Sequence, residues 1–224
     1  GATSSSYTLV QADVGSIMSV VITYTDDLSS SNTITLTAAS DTDNVNDSPT
    51  GSVTISGTST EDQVLTAANT LADEDVLGSI SYQWKRAGTA ISGATSTTYT
   101  LTQSDVGSVI TVTASYTDGQ GTAESSTSSA TSSVANVNDA GTGLSLASDG
   151  TVADPDEDDV LSVTGTLADE DGVTNAAPTY QWSRGSSAIS GATSSSYTLV
   201  QADVGSIMSV VITYTDDLSS SNTI

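Results

Sequence analysis

The chain has no cysteine, no histidine and no phenylalanine, and its only basic residues are Lys85, Arg86 and Arg184. Without cysteine there is no disulfide and no thiolate chemistry. Without histidine the usual zinc sites and every His-based catalytic constellation are gone. Three cations face 27 acidic residues, for a net charge of -24. Nucleic acid and anionic membrane are repelled by such a charge. No apolar run reaches membrane-spanning length, so no direct membrane insertion is expected. What remains is a cationic partner, and for clustered Asp the commonest is a divalent metal ion. A merely solvated acidic surface is the plainer alternative, but the acids cluster rather than scatter. Secreted domains of this size often carry disulfides, and bound calcium is a natural substitute staple.

The residues that are abundant point to β-structure. Val, Ile, Thr and Tyr favour strands, good helix formers are scarce, and Ser, Gly and Asp supply turns. Repeats organise the chain. Residues 1–34 recur unchanged at 191–224, and a diverged copy starts at Gly93, giving offsets of 92 and 98 residues. NVND at 44–47 returns at 136–139, and LADED at 71–75 returns at 167–171. Such periods fit whole domains in an array rather than solenoid units. The expected organisation is a C-terminal half of an Ig-like repeat at 1–47, a complete repeat at 48–139, and a repeat lacking its last strand at 140–224. TLTAASDTDNVND (35–47) shows what that last strand looks like.

Within the complete repeat, strands are expected at 51–58, 62–71, 80–88, 89–92, 97–103, 108–117 and within 122–137, separated by turn residues. About seven short strands at this spacing predict a Greek-key β-sandwich. Period two selects the core face: Ile110, Val112, Ala114 and Tyr116, with Trp84 and Tyr82, and Tyr99 with Leu101. The matching positions in the outer copies are Met18, Val20, Ile22 and Tyr24, and Met208, Val210, Ile212 and Tyr214. Trp84 and Trp182 read as core residues; a sugar-stacking platform is the functional alternative.

Acids gather at three places per repeat: the linker, the start of the second strand and the turn after it. Asp at i and i+2 in a turn can present two carboxylates to one ion, and Ca²⁺ takes six to eight oxygens. An acid-rich insertion, SDGTVADPDEDD (148–159), adds Asp154, Asp156 and Asp158 at loop-like calcium spacing.

VNDSP (45–49), ADEDVLG (72–78), ADEDGVTN (168–175) and TVTASYTDGQG (111–121) resemble the motifs of the cadherin calcium-binding module, in the same order. The resemblance implies cadherin-like domains with one interdomain Ca²⁺ site from Asn46, Asp47, Glu61, Asp73 and Asp75, and a second from Asn138, Asp139, Glu157, Asp169 and Asp171. LTQSD (101–105) replaces that family's acidic motif and leaves Asp105 as its stand-in, and Ser48 replaces a linker Asn. At a wider scale, YQWxRxxxxISGATSxxYTLxQxDVGSxxxVxxxYTD, present at 82–118 and 180–216, resembles the extender repeats of giant bacterial RTX-type adhesins. That implies type I secretion, folding outside the cell in calcium, and a place at the bacterial cell surface in cell adhesion and biofilm.

Three functional readings follow. One is a calcium-stabilised spacer that projects a distal ligand-binding region, with calcium and adjacent repeats as its partners. The alternative is a glycan- or surface-binding adhesive module, suited by Ser/Thr rows such as TSSATSS (127–133). The third is an enzyme: Asp73 with Asp75 could be misread as a glycosidase pair, but their duplication beside each linker and the lack of a nucleophile–base pair argue against catalysis. The half-repeats at the two ends also predict end-to-end strand pairing between copies.

Overall fold

Alternating short β-branched and aromatic runs, each stopped by a glycine or Asp-containing turn, fold as strands throughout the computed structural model, which describes residues 1–224. The chain is all-β, divided into two units, 1–135 and 136–224. The first unit holds β1 (Ser19–Thr25), β2 (Ser31–Thr37), β3 (Val53–Ser56), β4 (Val64–Asn69), β5 (Ser81–Arg86), β6 (Thr89–Ala90), β7 (Thr98–Thr100), β8 (Ile110–Thr117) and β9 (Ala123–Thr127). The second holds β10 (Thr142–Ser148), β11 (Val160–Ala168), β12 (Thr179–Arg184), β13 (Ser187–Ala188), β14 (Ser196–Thr198), β15 (Met208–Thr215) and β16 (Ser221–Thr223).

In the first unit β3-β4-β7 form one antiparallel sheet and β6-β5-β8-β9 the other, while β1 and β2 make a separate hairpin. The second unit repeats the pattern as β10-β11-β14 and β13-β12-β15-β16. This strand order is that of an Ig-like sandwich, the predicted fold class. The two sheets of 48–135 meet on Leu65, Trp84, Leu101, Ile110, Val112 and Ala114, all fully buried. The alternation on β8 is strict: Ile110, Val112, Ala114 and Tyr116 are inside and their neighbours are not. Trp84 stacks on Tyr99 with ring centroids 5.8 Å apart, and its indole N–H donates to the Ser96 carbonyl at 2.9 Å. The second unit reproduces this with Trp182 on Tyr197 and a bond to Ser194.

The expected outer positions diverge. Ile212 and Tyr214 are buried, but Val20, Ile22 and Tyr24 are exposed, because β1 and β2 have no facing sheet within these residues. The expected closing strand at 122–137 is split. β9 ends at Thr127, and Val134 and Ala135 then form parallel bridges to Val106 and Thr60. Val134 is buried there and plugs the end of the core.

Candidate metal centre

The linker is anchored on the acidic turn that follows the second strand of each repeat. In the first unit the Asp47 N–H donates to Asp75 Oδ2 at 2.8 Å, and Gln11 Nε2 donates to Asp75 Oδ1 at 2.8 Å. Gln11 Nε2 also reaches Asn44 Oδ1 at 3.2 Å. Asp75 is fully buried. Its own N–H donates to Asp73 Oδ1 at 2.9 Å, the self-closing turn that Asp favours, and the Tyr116 hydroxyl donates to Asp73 Oδ2 at 2.5 Å. Asn46 Nδ2 donates to Glu124 Oε1 at 2.8 Å.

The second unit rebuilds the linker and turn bonds. Asp139 N–H donates to Asp171 Oδ2 at 3.0 Å, and Asp171 N–H to Asp169 Oδ1 at 2.9 Å. The Tyr214 hydroxyl donates to Asp169 Oδ2, and Asn138 Nδ2 donates to Asn222 Oδ1 at 2.8 Å. Burial, then the bond to Asp169 and the charges of Asp169 and Asp216, push the Tyr214 phenol up to about 12. Tyr116 is raised further, by burial first, then by Asp73, Glu124 and Asp118.

A glycine lets the next loop close on each turn. Gly119 N–H donates to the Asp75 carbonyl at 2.8 Å, and a Cβ there would lie 2.7 Å from that oxygen. Opposite it, Val76 takes a left-handed φ of 74°, rare for a β-branched residue. The second unit exchanges the two: the turn residue is Gly172, φ 87°, and Asp217 stands opposite, where a Cβ on Gly172 would come 2.5 Å from its Oδ2. Asp217 accepts from the N–H groups of Thr174 and Asn175 at 3.1 and 3.3 Å. The Thr174 side chain first, and then these N–H bonds, hold its carboxyl below the ordinary range.

The structure thus brings together Asn46, Asp47, Asp73 and Asp75 in one place, and Asn138, Asp139, Asp169 and Asp171 in another. Glu61 and Glu157 do not join the cluster of their own repeat. Glu61 precedes β4 and Asp73 follows it, so six residues of strand, about 20 Å, separate them. Glu61 is buried beside Ala135, to whose carbonyl its N–H donates at 2.9 Å. With the Gln103 amide nitrogen turned toward it, Gln103 donates to both Glu61 oxygens at 2.7 and 2.9 Å. Glu157 is exposed, at the opposite end of β11 from Asp169.

Asp154, Asp156 and Asp158 are also exposed. Their loop is closed by two other acids: Asp159 Oδ2 accepts from the Asp156 N–H at 3.0 Å and Asp149 Oδ1 from the Val160 N–H at 2.7 Å. Asp105 has a structural task. It is fully buried and accepts from Arg86 Nε at 2.7 Å, the Tyr99 hydroxyl at 2.8 Å and the Thr102 N–H at 2.9 Å. Burial pushes against its charge, but these donors prevail and hold it below the usual carboxylate range.

Three contributors went unread in the sequence: Gln11, Asp118 and Glu124. Asp118 lies in the quoted TVTASYTDGQG stretch; Gln11 and Glu124 carry no local signal, since only strand register brings them to the turn. Asp118 is buried, its Oδ1 accepts from the N–H groups of Gln120 and Thr122 at 2.9 and 2.8 Å, and its Oδ2 has no partner. Every side chain here that could meet a cation offers oxygen. That donor set suits hard ions such as Ca²⁺ or Mg²⁺ rather than zinc.

No family model matches the chain, and no curated protein matches it. Among solved structures it is similar to the three N-terminal domains of the bacteriophage RB49 highly immunogenic outer capsid protein, Hoc. Identity is 17% and the TM-score 0.28, over 78% of this chain and 59% of that one. The chain therefore spans about three-fifths of that structure. No helix is long and apolar enough to cross a membrane.

Proposed function

We propose that this chain is a calcium-stabilised extender, a spacer segment of a repetitive cell-surface adhesin that carries a distal ligand-binding region away from the cell. The observation that carries the reading is the doubled linker cluster. Asp47 on Asp75 and Asp73, and Asp139 on Asp171 and Asp169, use the same bonds at the start of two successive repeats. Buried carboxylates such as Asp75 and Asp171 are costly until donors or a cation offset their charge. Asp73, Asp75 and the carbonyl-bearing linker residues Asn46 and Asp47 would hold it in one repeat, and Asp169, Asp171, Asn138 and Asp139 in the other. The ion would supply charge neutralisation and a staple between linker and turn, where this chain has no disulfide. Repetition of the unit suits length rather than catalysis.

With a Kd near 10⁻⁴ M and calcium at ten times that, each site contributes about 1.4 kcal/mol. A thermal melt of the whole chain in millimolar calcium, in magnesium and in EDTA tests the reading. Calcium should raise the midpoint by roughly 5 °C or more over EDTA, with magnesium well short of that. Superimposed calcium and EDTA melts would overturn it.

A further inference from the structure

The three copies of the loop after the sixth sandwich strand differ at one position, and the difference leaves an atom without a partner. In residues 1–47 the Asp26 carboxylate caps its loop through Oδ1 and receives Asn32 Nδ2 on Oδ2 at 3.1 Å. In the second unit Asp216 does the same: Oδ1 accepts from the Ser220 N–H and Oδ2 from Asn222 Nδ2, both at 2.8 Å. The register is shared, Asn32 opposite Tyr24 and Asn222 opposite Tyr214. In 48–135 the position opposite Tyr116 is Glu124. An amide donor has become a carboxylate, and Asp118 Oδ2, on a residue only 6% exposed, is left with nothing to accept from. A buried carboxylate oxygen without a donor has lost its water and gained nothing in exchange, so it destabilises the fold until something positive meets it. Around the Tyr116 hydroxyl stand Asp73, Asp118 and Glu124, three carboxylates where the second unit has Asp169, Asp216 and the neutral Asn222.

We propose that Asp118 Oδ2 and Glu124 hold a divalent hard cation, calcium first, in repeat 48–135 alone, and that in the other copies the Asn amide stands in for that ion. Asn46, already bonded to Glu124, ties the site to the linker. The proposal rests on the calcium reading above and makes it repeat-specific: one repeat carries an ion where its neighbours carry a hydrogen bond. A chain built this way has junctions of unequal calcium dependence despite near-identical strands.

The test is calcium titration of the full chain by calorimetry, with melts in EDTA, for wild type, E124N and N222E. E124N installs the residue two other copies already use, so it should fold. The expected result is one fewer bound ion in E124N, or at least a tenfold weaker affinity at one site. Its midpoint in EDTA should be higher than that of wild type, because the introduced amide can donate to Asp118. N222E should show the reverse: a lower midpoint in EDTA and one additional ion. If wild type binds calcium and E124N binds it with the same stoichiometry and affinity, this inference falls and the extender reading stands. If wild type binds no calcium, both fall.

Discussion

Residues 1–34 and 191–224 are the same sequence in two settings, and what they share separates local from long-range structure. Both form the 3-10 turn at Gln11–Asp13 and Gln201–Asp203, closed by the same bond from residue 10 or 200 to the Asp carboxylate at 2.9 Å. Both form the hairpin in which Asn32 or Asn222 bonds Asp26 or Asp216. Burial is not shared. Leu9 is 51% exposed and Leu199 4%; Tyr24 is 48% exposed and Tyr214 2%. Nor is the ion pair: Asp203 meets Arg184 at 2.6 Å, while Asp13 has no arginine in reach within 1–47, which contains none. Turns and hairpins are thus encoded by residues a few positions apart. The apolar face is encoded as a pattern, but it becomes a core only where β10, β11 and β14 lie across it.

Truncating the same leucine in both copies should give the widest gap between them. Leu199→Ala should cost about 3 kcal/mol, the usual loss for a buried leucine, whereas Leu9→Ala should cost well under about 1 kcal/mol. Urea denaturation of the full chain, followed by Trp182 and Trp84 fluorescence, reads both. Equal losses would mean that the face around Leu9 is covered in solution.

A smaller effect concerns the slot that closes each core. In 48–135, Gly107 N–H donates to the Val134 carbonyl and Val134 N–H to the Ser108 carbonyl, both at 2.9 Å. In 1–47 the same bonds join Gly15 to Thr42 and Thr42 to Ser16, at 2.9 and 3.0 Å. In the second unit the corresponding place, beside Gly205 and Ser206, is an open groove lined by Leu146, Leu161, Leu199 and Ile207. A peptide of residues 35–47, or that segment fused after Ile224, should fill it by strand addition and stabilise the second unit by about 1–2 kcal/mol. A melt unchanged by a saturating excess of the peptide, and by the fusion, would count against this.

The strands were legible because period two and turn residues are local signals, and β8 follows its pattern without exception. The linker clusters were legible as well: Asn46, Asp47, Asp73 and Asp75 converge as expected. Grouping Glu61 with them rests on motif order, and order does not say which end of a strand a residue occupies. With β4 between them, Glu61 and Asp75 face opposite ends of the sandwich. Glu124 escaped notice for the complementary reason. It is one ordinary acid in a polar strand until register sets it opposite Tyr116, two residues before Asp118. The loop acids Asp154, Asp156 and Asp158 had the right spacing, yet spacing alone does not turn side chains inward, and Asp149 and Asp159 make the bonds that shape the loop.

The smallest expected effect is in the response to acid, and it concerns the ion pair of the second copy. Burial opposes the charge on Asp203, but the Val200 N–H, Arg184 and Tyr197 favour it more strongly, so its carboxyl lies below the ordinary value. A carboxyl depressed on folding adds stability that is complete above its unfolded pKa of about 3.9 and drains away as pH falls through the folded value. Asp203→Asn removes that contribution, so the variant should start less stable at neutral pH and lose less than wild type between pH 5 and pH 2 (roughly the window such a group spans). Asp105→Asn should behave likewise in the first unit, where Arg86 plays the part of Arg184. Urea midpoints measured across that range for the two variants decide it: if neither variant flattens the slope, the buried Arg–Asp pairs are not what sets the acid sensitivity.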